Sequence, residues 1–198
     1  MNTIVTRGKC LLGFIKRQAK DFDCPHVTKS LYCSLVRPVL EYCSIVWDPI
    51  FEIDCNRIES IQKQFLIFAL RHLGWSEQFH LPPYDARLML LGLESLSDRR
   101  KAAACCFVVA QLVGNLDVPD LADAFRLREP SRVTRSSSSA NHLQLAPIAR
   151  SRYIENAPLH RCIRTYNSYA DVLSESSFVN AAKRALKVTL TAVSQQRL

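Results

Sequence analysis

Apolar residues recur at helical spacing on both sides of Trp47-Asp48-Pro49: Leu31, Leu35 and Val39 before it, then Ile58, Ile61, Phe65 and Phe68 after it. Intervals of three or four residues put each set on one face of a helix, and each face needs a partner to cover it. The pattern therefore predicts two amphipathic helices joined by an aromatic corner over Ser44–Phe51. Trp47 is expected to plug that corner, since an indole is more often packed in a core than stacked on a base. Pro38 removes a backbone donor from the first of these helices, which predicts a kink near Ser34–Arg37 rather than a full stop.

The same periodicity predicts an earlier helix from Thr3 to Phe22, with Ile4, Leu11, Leu12, Ile15, Ala19 and Phe22 turned inward. Lys9, Lys16 and Lys20 fall outside that stripe and Arg17 flanks it. Asp21–Pro25 breaks the helix, and Pro25 suits the first turn of the next one. Asp54 is a candidate cap for the helix that ends near Arg71–Gly74. A loop over Trp75–Pro83 leads to a short helix at Tyr84–Leu91. Ser95, with Asp98 three residues later, has the spacing of a capping pair and predicts a long helix to Val113, lined by Leu96, Ala103, Cys106, Val109 and Val113. One further short helix is expected at Pro119–Phe125.

Beyond Phe125 the pattern fails. Arg128–Asn141 contains Ser136-Ser137-Ser138-Ser139 and almost nothing apolar, so it cannot form a core. Leu143–Ile148 could form a short strand or lie extended. Helices at His160–Ser168 and Ser177–Val193 close the chain, the last with Phe178, Ala182, Leu186 and Val193 on one face. The fold class expected is mainly α: a helical bundle over 1–126, a basic Arg/Ser-rich loop or linker over 127–159, and a C-terminal helical segment over 160–198.

Composition sharpens this picture at two points. With 198 residues, 48% of them hydrophobic, the chain can bury a substantial core. Its richest apolar run, Ala102–Val113, is too short to span a bilayer. The basic, apolar N-terminus briefly suggests a targeting peptide, but charges interrupt it before a continuous apolar run forms, so it reads as a structural helix in an intracellular, nuclear or cytoplasmic protein that is not secreted. The net charge of +8 is unevenly spread: between Arg126 and Arg164 stand eight Arg and no Lys, against Glu129 and Glu155. Such a segment is either a solvated loop or a contact for a polyanion, since each phosphate neutralised releases counterions.

The eight cysteines include no CxxC pair, and Cys24, Cys33, Cys43 and Cys55 stand nine to twelve residues apart. Zinc ligands normally pair at shorter spacing, so free core thiols are the expectation, with no metal site. Among catalytic patterns, Tyr169-Ala170-Asp171-Val172 falls one residue short of a Tyr-x-Asp-Asp turn. There is no phosphate-cradling glycine loop, and no local pattern selects a Cys or Ser nucleophile from among the possible pairings with His, such as Cys162 with His160.

LYCSLVRPVLEYCSIVWDP (Leu31–Pro49), followed by RIESIQKQFLIFALR (Arg57–Arg71), resembles the region after the palm in reverse transcriptases of insect non-LTR retrotransposons, the jockey-like elements. Leu12-Gly13-Phe14-Ile15-Lys16-Arg17 resembles the start of their thumb. Pro82-Pro83-Tyr84, Arg87-Leu88, Leu96 and Arg99-Arg100 continue the likeness, which runs from about Lys9 to Phe125, with an echo at Arg164-Thr165-Tyr166-Asn167. The resemblance implies a non-catalytic fragment of an RNA-directed DNA polymerase, lacking the palm carboxylates. Magnesium would belong to the parent polymerase alone, and no cofactor is expected here. It also implies an RNA/DNA hybrid or template RNA as partner, with Lys9, Lys16, Arg17 and Lys20 near the duplex and Arg128, Arg132, Arg135, Arg150 and Arg152 holding nucleic acid. The missing palm, or self-association, is a further partner it allows, and no membrane is implied. The alternatives are a helical protein-interaction module and a functionless retroelement relic.

Overall fold

The computed structural model describes residues 2–19, 25–75, 81–112, 126–127, 143–144 and 156–174. The fold is mainly α, as the periodicity predicts. Helix α1 spans Asn2–Gln18, α2 Pro25–Leu31, α3 Arg37–Glu41, α4 Ser44–Trp47, α5 Glu52–His72, α6 Tyr84–Leu91, α7 Leu96–Leu112 and α8 Pro158–Ser174. Arg126–Leu127 and Leu143–Gln144, β1 and β2, pair antiparallel, Arg126 opposite Gln144 and Leu127 opposite Leu143. The chain forms two compact units. The first holds Met1–Ser44 and Pro49–Arg99, the second Ile45–Asp48 and Arg100–Leu198, so the division falls inside α7. The linker expected over 127–159 lies almost wholly outside the described residues, as do the helices expected at Pro119–Phe125 and Ser177–Val193.

In the first unit, α5 is the central element and buries Ile58, Ile61, Phe65, Leu66 and Ala69 completely. Helix α1 lays Val5, Leu12 and Ile15 into the core, and Ala19, just past its end, is buried as well. Gly8 makes that approach close: a Cβ there would stand 2.8 Å from Leu40 Cδ2 and 3.0 Å from Ile61 Cδ1. The Pro38 kink takes a specific form. Tyr32–Val36 is a π-helical segment, and the Arg37 N–H bonds Tyr32 O in place of a normal α-helical partner. Pro38 has no N–H for Ser34 O and its ring crowds that carbonyl, so the turn before it widens.

That widening also corrects the inner stripe. Thr28, Tyr32, Val36 and Leu40 are the fully buried positions, while Leu35 is exposed and Leu31 and Val39 are only partly covered. An every-fourth-residue row drifts around a 3.6-residue helix, and one wider turn brings it back into line. Tyr32 stacks on Phe65 with ring centroids 4.0 Å apart and planes 9° from parallel.

The end of α5 and the start of α7 match their sequence signals, Gly74 and Ser95. Gly74 (φ 83°) and Gly92 (φ 57°) close α5 and α6 in the left-handed region. After α6, the Leu93 N–H bonds Leu88 O and the Gly92 N–H bonds Met89 O, the paired bonds that glycine in this conformation permits. Ser95 does cap α7, its Oγ accepting from the Asp98 N–H at 3.0 Å and donating to Asp98 Oδ2. Asp54 does not cap α5. The helix starts two residues earlier, after Phe51, and Asp54 sits in its first turn bridged to Arg57 at 3.2 Å.

The aromatic corner is also less buried than expected. Tyr42 and Cys43 make the turn, Cys43 with φ 55°, and α4 follows at once. Trp47 is half-buried rather than a buried plug, and Tyr42, Ile50 and Phe51 are exposed.

In the second unit, Val108 of α7 packs with Cys162, Ile163 and Tyr166 of α8, and Ile45, Phe107 and Leu159 flank them. The α7 face buried here centres on Arg100, Cys105 and Val108, not on the expected Ala103, Cys106 and Val109, which are half-covered. Helix α8 begins at Pro158 and extends past the expected end at Ser168.

Candidate nucleic-acid interface

Helix α1 carries Arg7, Lys9, Lys16 and Arg17 and no acidic residue. Its apolar side is committed to the core, so the polar side is left to solvent: Arg7, Lys9 and Arg17 are exposed, and Lys16 is half-buried at the margin. Lys9 and Lys16 are two helical turns apart and share an edge. Arg7 is exposed on the same helix and is not among the residues the resemblance implies.

Lys16 differs from its neighbours. Its Nζ lies 5.9 Å from the centre of the Phe68 ring on α5. Burial against α5, and then the nearby charge of Arg71, hold its pKa below the usual lysine value. Arg71, exposed in the last turn of α5, thus joins Lys16 in one basic cluster. Sequence spacing alone could not pair them, since 55 positions separate them in the chain.

The other predicted site residues, Lys20, Arg128, Arg132, Arg135, Arg150 and Arg152, lie outside the described residues. Several remaining cations are already engaged. Arg99 makes a two-pronged pair with Glu41, at 2.5 Å and 2.9 Å, and reaches Glu94 at 3.3 Å. The Glu41 hydrogen bonds push the Arg99 pKa further up. In the second unit, Arg100 bonds Asp48 through Nε, and Arg161 donates to the backbone carbonyls of Asp48 and Val46. These three arginines fasten structure rather than present charge.

A buried polar network lies elsewhere in the first unit. Gln62 accepts from the Tyr32 hydroxyl at 2.8 Å and donates to the Glu94 carbonyl at 2.7 Å and to the Tyr84 oxygen at 3.3 Å. The Tyr84 hydroxyl donates to Glu59 Oε1, which also receives the Leu96 N–H at 3.1 Å. Burial raises both tyrosine pKa values, reinforced at Tyr32 by the Glu59 charge and at Tyr84 by the hydrogen bond to Glu59.

Tyr169–Val172 lies within α8, not in a strand-to-strand turn, and Asp171 is followed by Val172. Among the described residues no group of three His, Cys, Asp or Glu side chains could hold a metal ion. The described cysteines are free, and only Cys105 and Cys162 are buried; Cys10 and Cys43 are exposed, against the expectation of core thiols throughout. Among the described residues no helix is long and apolar enough to cross a membrane.

No protein-family model matches the chain, and neither a curated protein nor a solved structure is detectably similar to it.

Proposed function

We propose that this chain is a non-catalytic, thumb-like part of a non-LTR retrotransposon RNA-directed DNA polymerase that binds nucleic acid through the basic side of α1 and the Arg-rich stretch after Phe125. The observation that carries the proposal is α1 itself: four basic residues and no acid on a helix whose opposite side is buried. Residues from the strings that carry the resemblance also pair in space. Glu41 of the first string bonds Arg99 within the first unit, and Asp48 of the same string bonds Arg100 within the second. A site of action inside the cell, nuclear or cytoplasmic, goes with this reading.

Fluorescence anisotropy of the whole chain with a labelled RNA–DNA hybrid, across a salt series, tests it. Binding should weaken linearly on a log–log plot as salt rises, by about 0.9 in slope per phosphate contacted on a duplex. Absence of binding at low salt, or binding indifferent to salt, would refute it.

A second reading, a protein-interaction module, is favoured by one observation. Tyr42, Ile50, Phe51 and Ile53 of the first unit expose large apolar side chains within twelve positions of one another, Tyr42 at 80% and Phe51 at 68%. Sedimentation with and without nuclease separates the two: self-association that survives nuclease supports the interaction module.

A further inference from the structure

Helix α4 is four residues long, and nothing local sustains it. One turn fixes several dihedrals for very few hydrogen bonds, so an isolated turn carries a statistical weight of roughly 10⁻³. Growth cannot rescue it. Cys43, just before it, sits at φ 55°, outside helical space, and Pro49, just after Asp48, has no N–H to carry the ladder on. The residue before a proline is also pushed away from helical dihedrals.

What α4 lacks locally is supplied from far along the chain. The last carbonyls of a helix have no partner within it. Arg161 of α8 donates to Val46 O at 2.9 Å and to Asp48 O, 115 and 113 positions away. Arg100 of α7 holds the Asp48 carboxylate, and Ile45 packs against the cluster of Val108, Cys162, Ile163 and Tyr166. Ile45–Asp48 accordingly belongs to the second unit, although Ser44 and Pro49 on either side belong to the first.

The ordinary explanation is a surface arginine drawn to the negative end of a helix dipole. One turn has little dipole to offer, and the guanidinium does not lie loosely. Both Nη groups are engaged by backbone carbonyls, and Nε is buried with no acceptor among the described residues. A carboxylate would be the stronger partner for such a cation. Arg161 instead matches two neutral carbonyls with a planar fork that the single nitrogen of lysine cannot reproduce.

We propose that α8 is a clasp for the α4 corner: Ile45–Asp48 is ordered by α8 through Arg161 and opens when α8 lifts from α7, independently of α3 and α5, its neighbours in sequence. Proteins open in cooperative units set by packing as well as by chain order. The connection between α3 and α5 thereby follows the state of the C-terminal helix, and whatever displaces α8 frees that connection. The clasp stands apart from the nucleic-acid reading and asks nothing of it.

Hydrogen–deuterium exchange of the full chain, read by mass spectrometry, tests it on wild type, Arg161→Gln, Ile163→Ala and Arg57→Gln. Ile163→Ala loosens the packing of α8 without touching the Arg161 fork. Arg57, in the first unit and bridged to Asp54, is the control. Residues 44–48 and 159–169 should both exchange at least about tenfold faster in the first two variants, while 58–70 keeps its wild-type protection and Arg57→Gln alters neither 44–48 nor 159–169. Retained protection at 58–70 shows that a variant has folded. The clasp is overturned if 44–48 is unprotected in wild type, or if Arg161→Gln leaves its exchange unchanged. It is equally overturned if Ile163→Ala speeds 159–169 alone, or if 44–48 follows 58–70 across the variants, since the corner would then be held by the first unit.

Discussion

Arg100 donates through Nε to Asp48 Oδ1 at 2.7 Å, and the two are unequally placed: the arginine side chain is 2% exposed, the aspartate 41%. Arg100 Nη1 is buried and has no acceptor among the described residues, where the cation is thus only half satisfied. Removing the aspartate strands a buried charge, whereas replacing the arginine with an apolar residue of similar length removes the charge and the orphan donor together. Asp48→Ala should therefore destabilise the protein by about 2–3 kcal/mol, the partial exposure of Asp48 lowering the usual penalty, and Arg100→Met by less. Urea denaturation of both variants checks the order; equal losses would contradict it.

The Gln62 network makes a second set of expectations. Gln62 joins Tyr32, Tyr84 and the Glu94 carbonyl, so Gln62→Leu leaves several buried partners unmatched and should cost about 2–3 kcal/mol. Tyr84→Phe removes one donor to Glu59, which keeps the Leu96 N–H, and should cost about 1 kcal/mol.

The same tyrosines set a dependence on pH. Tyr84 is packed near Glu59, Gln62, Lys63 and Arg87, and Tyr32 near Glu59, Glu41, Cys33 and Arg37. Their folded-state pKa values lie above the unfolded value of about 10, so folding holds these protons more tightly than the open chain does. Stability from them is full below that value and declines as pH rises above about 10. In urea melts at pH 8 and 10.5, the wild type should lose more stability between the two than the Tyr32→Phe, Tyr84→Phe double variant does.

Helix positions were legible in the sequence because apolar spacing, Pro25, Gly74 and the Ser95–Asp98 pair each act locally. The facing of those helices was less so. Pro38 announced a disturbance, but only the π-helical form it takes explains why Val36 and Leu40 are buried where Leu35 is not. Arg100 was unreadable as a core residue because its partner lies 52 positions earlier. Of the candidate interface, the exposure of Lys9 and Arg17 follows from the α1 periodicity, whereas Arg71 lies near Lys16 only through the packing of α1 on α5.

Thiol chemistry separates the cysteines. Burial pushes Cys105 up to about 12 and raises Cys162 as well, so neither forms the reactive thiolate near neutral pH. Cys10 and Cys43 are exposed. Iodoacetamide at pH 8 on the folded protein, followed by peptide mapping, should label Cys10 and Cys43 within the time that leaves Cys105 and Cys162 unmodified until denaturant is added. Labelling of Cys105 at the rate of Cys10 would show that its packing against Cys106, Val109 and Tyr169 opens readily.

Two backbone positions give opposite results on substitution. Cys43 holds φ 55°, a conformation that costs an ordinary side chain roughly 1 kcal/mol and glycine almost nothing. It is exposed, so its side chain contributes little packing in return. Cys43→Gly should leave stability unchanged or raise it by up to about 1 kcal/mol, while Cys43→Val should lower it, because β-branching makes that region worse. Gly8 is the reverse case. It lies inside α1, where alanine is favoured over glycine by up to about 1 kcal/mol. The added methyl, however, would meet Leu40 Cδ2 and Ile61 Cδ1, the tips of two completely buried side chains that would have to shift within a packed core. Overpacking of this kind costs about 1–3 kcal/mol, so Gly8→Ala should be destabilising despite the gain in helix propensity. Thermal melts of the two variants test the pair, and a stabilised Gly8→Ala would mean that α1 rests less tightly on α3 and α5 than these distances require.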